Sequence, residues 1–170
     1  MKAIEINDIK KFTSALFVGK TFDTFCVTEA SFSTLINIRI DGRVNREFLT
    51  GEKEPEVAEG GNYLEGDGEK NEPVKWENIK SLCYNIIAGK RLPLKFKIVF
   101  MVPPEKMGNL IEREGLDISA RSVNAMFLNI RFENKKLTCT TGISLKEFTL
   151  DKSLENAWDN SMEKFLERFV

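Results

Sequence analysis

The stretch LNIRFENKKLTCTTGISL, residues 128–145, alternates apolar and polar side chains along two runs that a polar turn separates. Successive side chains of a β-strand point to opposite faces of the sheet, so each run predicts a strand with one apolar face. Asn129 and Arg131 fall on the polar face of the first run. The residues that share its apolar face are Leu128, Ile130 and Phe132. We therefore predict a hairpin of strands 124–132 and 136–148.

A similar octet occurs earlier in the chain, because INIRIDGR begins at Ile36 and LNIRFENK begins at Leu128. Both lie in a predicted series of strand, helix and hairpin. Either internal duplication of a strand-helix-hairpin unit or coincidence accounts for the match. Duplication would divide the chain into pseudo-halves 1–50 and 92–150, and it would superpose the helices predicted at 8–18 and 104–114.

The remaining pattern predicts an α+β protein with a mainly antiparallel sheet and helices packed on one side. Apolar residues spaced three and four apart predict helices at 8–18, 76–88, 104–114 and 152–169, the first of them capped by Asn7. The other predicted strands are 1–6, 22–31, 34–41, 43–49 and 92–102. A tight turn at the Asp41-Gly42 pair is expected to join the strands 34–41 and 43–49.

Charge is unevenly distributed along the 170 residues, which we interpret as a single domain, 1–170. The segment 51–72 has eight acidic residues and two lysines, a formal charge of −6, and we predict a mobile loop there. Since the whole chain carries −1, the remainder carries +5. A body this mildly basic lacks the strong positive charge of a dedicated DNA-binding protein.

Several chemistries are excluded by residue type or spacing. The chain has no histidine, and its three cysteines form no Cys-x-x-Cys pair. Cys139 in TCTTG lies on the apolar face of its strand, which is typical of a core residue and not of a nucleophile. The segment SALFVGKT at 14–21 lacks the first glycine of a phosphate-binding loop. The segment EGDGEKNE at 65–72 lacks the ligand spacing of a calcium loop. We predict no catalytic residue, no metal and no cofactor. We also predict no leader peptide, no membrane span and a cytoplasmic location.

The polar sheet face contains the candidate binding residues. Arg39, Arg131 and Lys146 are expected to project from it, with Phe127 beside them. This face is either an ordinary solvated surface or a binding surface for a protein partner or a polyanion. Lys90 and Arg91 follow the predicted helix 76–88, where they either complement the helix dipole or contact an anion.

Three runs carry a resemblance to known proteins: DGRVNREF at 41–48, WENIKSLCYNIIAGKRLPLKFKIVF at 76–100, and LTCTTGISLKEFTLDKSLENAWD at 137–159. They resemble an uncharacterised family of small proteins from clostridial anaerobes. The resemblance implies a bacterial cytoplasmic setting and assigns no activity and no site residues. In topology alone, the predicted halves are similar to the paired β-α-β-β-β units of sliding clamps, a likeness that does not give a function.

Three functions remain open on the sequence. The first is a non-catalytic binding or interaction module, consistent with the excluded chemistries. The second is a clamp-like protein associated with nucleic acid, consistent with the basic body. The third is an enzyme that uses carboxylates or a lysine, which a cleft with converging acids would favour.

Overall fold

The computed structural model describes residues 1–51 and 73–170, so nearly all of the predicted loop 51–72 lies outside the described residues. The strands are β1 (Ala3–Ile6), β2 (Cys26–Ser33), β3 (Asn37–Asp41), β4 (Val74–Lys75), β5 (Lys95–Met101), β6 (Val123–Glu133) and β7 (Lys136–Leu145). The helices are α1 (Ile9–Phe17), α2 (Arg46–Thr50), α3 (Trp76–Ile87), α4 (Pro104–Arg113) and α5 (Ser153–Leu166). Short 3-10 turns occupy Ala120–Ser122 and Glu167–Phe169.

One sheet contains all the strands of the described residues, in the order β1-β7-β6-β5-β2-β3, and β4 also pairs with β2. Every strand pair in this part of the chain is antiparallel. The predicted hairpin of β6 and β7 is confirmed, with Arg131 opposite Thr138. The predicted α+β class with a mainly antiparallel sheet is therefore confirmed.

The helices cover one face of this sheet. Buried residues of α1, α3, α4 and α5 share a single hydrophobic core with the alternate residues of the strands. Ile98 and Ile130, which are paired on β5 and β6, are both fully buried there. We call this the inner face and the opposite one the outer face. Residues from both predicted halves of the chain contribute to this one core.

Aromatic rings fill much of the core, as thirteen Phe against two Tyr would suggest. Phe22 stacks on Phe100 with ring centroids 5.8 Å apart, and Phe96 stacks on Phe132 at 5.3 Å. Phenylalanine suits these positions because its ring has no polar atom that would need a hydrogen-bond partner.

Local chemistry explains where the first helix begins. The side chain of Asp8, rather than the predicted Asn7, caps α1 by accepting a hydrogen bond from the backbone N–H of Lys11 at 2.9 Å. An oxygen at this position satisfies one of the free N–H groups of the first turn.

The predicted strand 43–49 is wrong. Residues 46–50 form α2, since Asn45 accepts a hydrogen bond from the backbone N–H of Phe48 and caps the turn. Gly51 ends the helix with φ 73°, a left-handed conformation that favours glycine. Gly42 does not form a tight hairpin turn; it is buried against β2 instead.

The two predicted halves of the chain, 1–50 and 92–150, do not pair their strands in the same way. In the second predicted half, β5 pairs directly with β6. In the first, β1 pairs with β7 at the far edge of the sheet and not with β2. The two Asn-Ile-Arg segments also differ in position, because β3 lies at an edge and β6 lies between β5 and β7.

Candidate functional site

A row of cationic side chains crosses the outer face of the sheet. Ser31 pairs with both Arg39 and Lys97, and Lys97 pairs with Arg131, so these four residues form one row over β3, β2, β5 and β6. Neighbouring strands are about 4.8 Å apart, which places Arg39 and Arg131 about 14 Å apart across the sheet. We call Arg39, Lys97 and Arg131 the cationic row.

The hydrophobic pattern of the strands fixes this row on the outer face. Ile98 and Ile130, which follow Lys97 and precede Arg131, are fully buried on the inner face. A slip of one residue in the register would bury the charges and expose the isoleucines. The energy of the core therefore holds Lys97 and Arg131 at the surface, and Arg39 joins their row through its pairing with Ser31 of β2.

Two carboxylates lie among the cations and partly neutralise them. Glu29 is 3.7 Å from the Nε of Arg39 and 3.6 Å from the Nζ of Lys97, and Glu133 pairs with Arg131. The four cations around the row are Arg39, Lys95, Lys97 and Arg131. Four positive charges against two negative charges leave a local formal charge of +2.

The cations remain accessible despite these pairs. The side chains of Arg39, Lys97 and Arg131 are 76%, 47% and 66% exposed. Exposed ion pairs contribute at most about 1 kcal/mol each, so an incoming anion can displace Glu29 at small cost.

A groove of about 410 Å³ lies along the row. Besides the cations, its lining includes the hydroxyl side chains of Ser31 and Ser33 and the amide of Asn37. Hydroxyl, amide and cationic groups together can donate several hydrogen bonds to an anionic oxygen. The arrangement suits the binding of an anion on an open surface.

The sequence-predicted residues divide between this groove and other places. Arg39 and Arg131 line the groove. Lys146 follows the far end of β7, eight residues beyond the partner of Arg131, or about 25 Å away at the rise of a strand. Lys90 and Arg91 are exposed in the segment after α3 and do not line the groove.

Phe127 is also separate from the cationic row. It is half-buried on β6, opposite Gly142, and lies about 13 Å along the strand from Arg131. Its carbonyl oxygen accepts a hydrogen bond from the indole N–H of Trp158 at 3.0 Å. The residue therefore borders the face without contacting the row.

Sequence reasoning missed Lys97 and Lys95 as candidate binding residues. The alternation in LPLKFKIVF places both opposite the apolar face. The missing information was the strand order, which inserts β5 between β2 and β6 and so brings Lys97 between Arg39 and Arg131.

The three cysteines do not line the groove on the outer face. Cys26, Cys83 and Cys139 are buried, and they form no disulfide bond with one another. Burial raises the pKa of the Cys83 thiol, and likewise that of Cys139, to about 12, because desolvation disfavours the thiolate. A protonated, buried thiol is a poor nucleophile. Cys139 in the TCTTG segment is therefore a core residue.

We expect Cys83 and Cys139 to resist alkylation in the folded protein. Iodoacetamide at pH 8 should modify neither thiol in native buffer, since both lack solvent access and thiolate character. In urea all three cysteines should react, and intact mass followed by peptide mapping would count them. Rapid native labelling of Cys139 would contradict its assignment to the core.

The described part of the chain has neither a metal-binding cluster nor a membrane-spanning helix. Residues 1–51 and 73–170 contain no cluster of three or more Cys, Asp or Glu side chains that could hold a metal ion. None of the helices in these ranges has the length and apolar character needed to cross a membrane.

Comparison with known proteins gives a family and no function. No curated protein and no solved structure matches the chain. One family model, DUF5721, described as a family of unknown function, matches residues 15–169. This match covers strands β2 to β7 and helices α2 to α5 of the described residues, together with the last three residues of α1, whereas β1 and the first six residues of α1 lie before it. The chain therefore belongs to the DUF5721 family.

Proposed function

We propose that the protein is a non-catalytic binding module that holds a polyanionic partner on the outer face of its sheet. The observation that carries the proposal is the cationic row, in which Arg39, Lys97 and Arg131 are aligned by register across four strands. Cations held in line by a rigid sheet match a partner that repeats its negative charge along its length.

The surroundings of the row support binding of an extended partner. Ser31 lies between Arg39 and Lys97 in the row, and its hydroxyl can donate to the same anionic oxygens as the two cations. Glu29 lies 3.7 Å from Arg39 and 3.6 Å from Lys97. A polyanion would replace this carboxylate and leave the sheet unchanged.

Charge reversal of the row tests the proposal. We expect the variant Arg39→Glu, Lys97→Glu, Arg131→Glu to lose retention on heparin and on single-stranded DNA near physiological salt. The melting temperature should change little, because exposed cations contribute within about 0.5 kcal/mol each. Wild-type binding should also weaken steeply with salt, as expected when counterions are released.

A control variant distinguishes the effect of removing the cationic row from the effect of changing the net charge of the protein. Lys146→Glu, Lys152→Glu, Lys164→Glu makes the same charge change at exposed residues outside the groove, and it should keep most of the retention. Glu29→Gln should strengthen binding, because it removes the competing carboxylate. Equal losses in the two triple variants, or no retention of the wild type, would contradict the proposal.

The nature of the polyanion distinguishes the second candidate, a clamp-like protein associated with nucleic acid. The formal charge of +5 outside residues 51–72 favours this candidate. Preference for DNA over heparin at equal charge would support it, whereas equal binding of both would support a general polyanion site. The resemblance to clostridial proteins, and three cysteines that form no disulfide bond with one another, support a reducing bacterial cytoplasm as the setting of either function.

A further inference from the structure

A second groove lies on the helical side of the molecule, between the whole length of α1 and the C-terminal end of α3. The segment that follows α3, with Leu92 and Pro93, closes one end, and the inner-face rings of Phe96 and Phe132 lie at its base. Its volume is about 660 Å³, within the range of sites for small molecules. This groove contains none of the cationic row.

Apolar side chains form most of its wall. Phe17 and Ile87 face it from the two helices, and Val18 and Leu92 at its rim are 66% and 77% exposed. Isolated exposed apolar residues are common, but here they border one continuous concave surface. A ligand with an apolar chain would remove this surface from water.

Two lysines are the charged residues of the lining. Lys10 reaches the groove from α1, and Lys135 reaches it from the turn between β6 and β7. No acidic residue lines the groove among the residues that the structure describes. Neither ammonium group forms an ion pair within those same ranges.

The backbone of the turn limits where Lys135 can reach. Asn134 and Lys135 both have positive φ, 53° and 61°, as in the tight turn of a two-residue hairpin loop. This conformation fixes the base of the Lys135 side chain at the mouth of the groove. The result is an apolar cavity with a positive rim.

We propose that this groove binds an amphipathic monoanion, a carboxylate with an unbranched alkyl chain, taken up as a free molecule. The chain would lie against Phe17, Ile87 and Leu92, and the carboxylate would pair with Lys10 and Lys135. The charge complementarity favours a carboxylate over a neutral chain, and the concave apolar wall favours a chain over a bare anion.

Calorimetric titration with decanoate, below the concentration at which it forms micelles, tests the proposal. We expect saturable binding of one molecule per chain. Affinity should rise about fourfold for each added methylene from hexanoate to decanoate, since each buried methylene adds a roughly constant free energy of transfer. Absence of saturable binding, or affinity independent of chain length, would overturn the proposal.

Variants of the two lysines at the rim distinguish the contribution of the carboxylate to binding from that of the alkyl chain. Lys10→Glu with Lys135→Asn should weaken decanoate about tenfold and leave decanol unchanged, because two favourable charges are lost. Asparagine is chosen because it tolerates the positive φ of this turn. Lys164→Glu with Lys152→Asn makes the same charge change away from the groove and should bind decanoate like the wild type.

A third variant tests the wall. Val18→Ser with Leu92→Ser changes exposed residues, so folding should be retained, and it should weaken decanoate and decanol alike. Equal decanoate affinity of the rim variant and the wild type would overturn the assignment of the lysines. Binding to phosphatidylglycerol vesicles without binding of monomeric decanoate would overturn it too, because the site would then recognise a membrane surface.

Discussion

Replacing Trp76 by alanine should lower the free energy of unfolding by about 3–5 kcal/mol, the usual cost of removing a large buried ring. Trp76 is fully buried at the start of α3, and its ring lies 5.7 Å from that of Phe17 and 5.3 Å from that of Phe100. Its indole N–H donates to the carbonyl oxygen of Leu16 at 2.7 Å. Since Leu16 lies in the last turn of α1, this bond satisfies a carbonyl that the helix itself leaves free.

Urea unfolding followed by circular dichroism measures the effect. Many domains are stable by only 5–15 kcal/mol, so the alanine variant should unfold at a much lower urea concentration or be partly unfolded without it. Trp76→Phe keeps a ring and removes the donor, and we expect an intermediate loss of about 1–3 kcal/mol. Leu35→Ala, at a side chain that is 100% exposed, should change stability by less than about 0.5 kcal/mol. A loss below about 1.5 kcal/mol in Trp76→Ala would contradict the role given to this residue.

Features that depend on local periodicity could be predicted from the sequence. Alternation with a period of two identified β6 and β7 and placed Ile130 inside and Arg131 outside, as the structure has them. Helical spacing located α1, α3, α4 and α5 to within a few residues. Both patterns report which side of an element meets the core, and burial in the core is the strongest force acting on them.

Local capping was harder to predict than periodicity. Strand 43–49 was predicted from its position after an Asp-Gly pair, yet the Asn45 side chain caps a helical turn at that point. Asparagine favours both turns and helix N-caps, so its presence alone does not distinguish a hairpin from a helix start.

The composition of the candidate site depends on which strands pair with each other, and local periodicity in the sequence does not give this information. Arg39 and Arg131 were predicted to share a face, but the distance between them follows from the strand order β6-β5-β2-β3. The same order adds Lys97 to the row and places Lys146 beyond the far end of β7. Arg39 and Arg131 lie in one row because β2 and β5 pair with each other between the strands that carry them.

Gly42→Ala should destabilise the protein by about 3 kcal/mol, because the added methyl group has no space. A Cβ atom at this position would lie 1.7 Å from the carbonyl oxygen of Val27 and 2.5 Å from its carbonyl carbon, so backbone would have to move. The same residue links three segments: its N–H donates to the carbonyl of Thr28 at 3.2 Å, and its own carbonyl accepts from the N–H of Val74 at 2.7 Å. Movement of Gly42 would therefore strain the pairing of β2 with both β3 and β4.

A second glycine provides a control in which the same substitution should raise the free energy of unfolding. Gly108 lies inside α4, where an added Cβ meets no atom within 4 Å. Alanine has a higher helix propensity than glycine and fewer unfolded conformations to lose, so Gly108→Ala should stabilise the protein by about 0.5–1 kcal/mol. Thermal and urea unfolding of the two variants, which carry the same chemical change, would then move in opposite directions from the wild type. Stabilisation of both variants would contradict the close approach of Gly42 to β2.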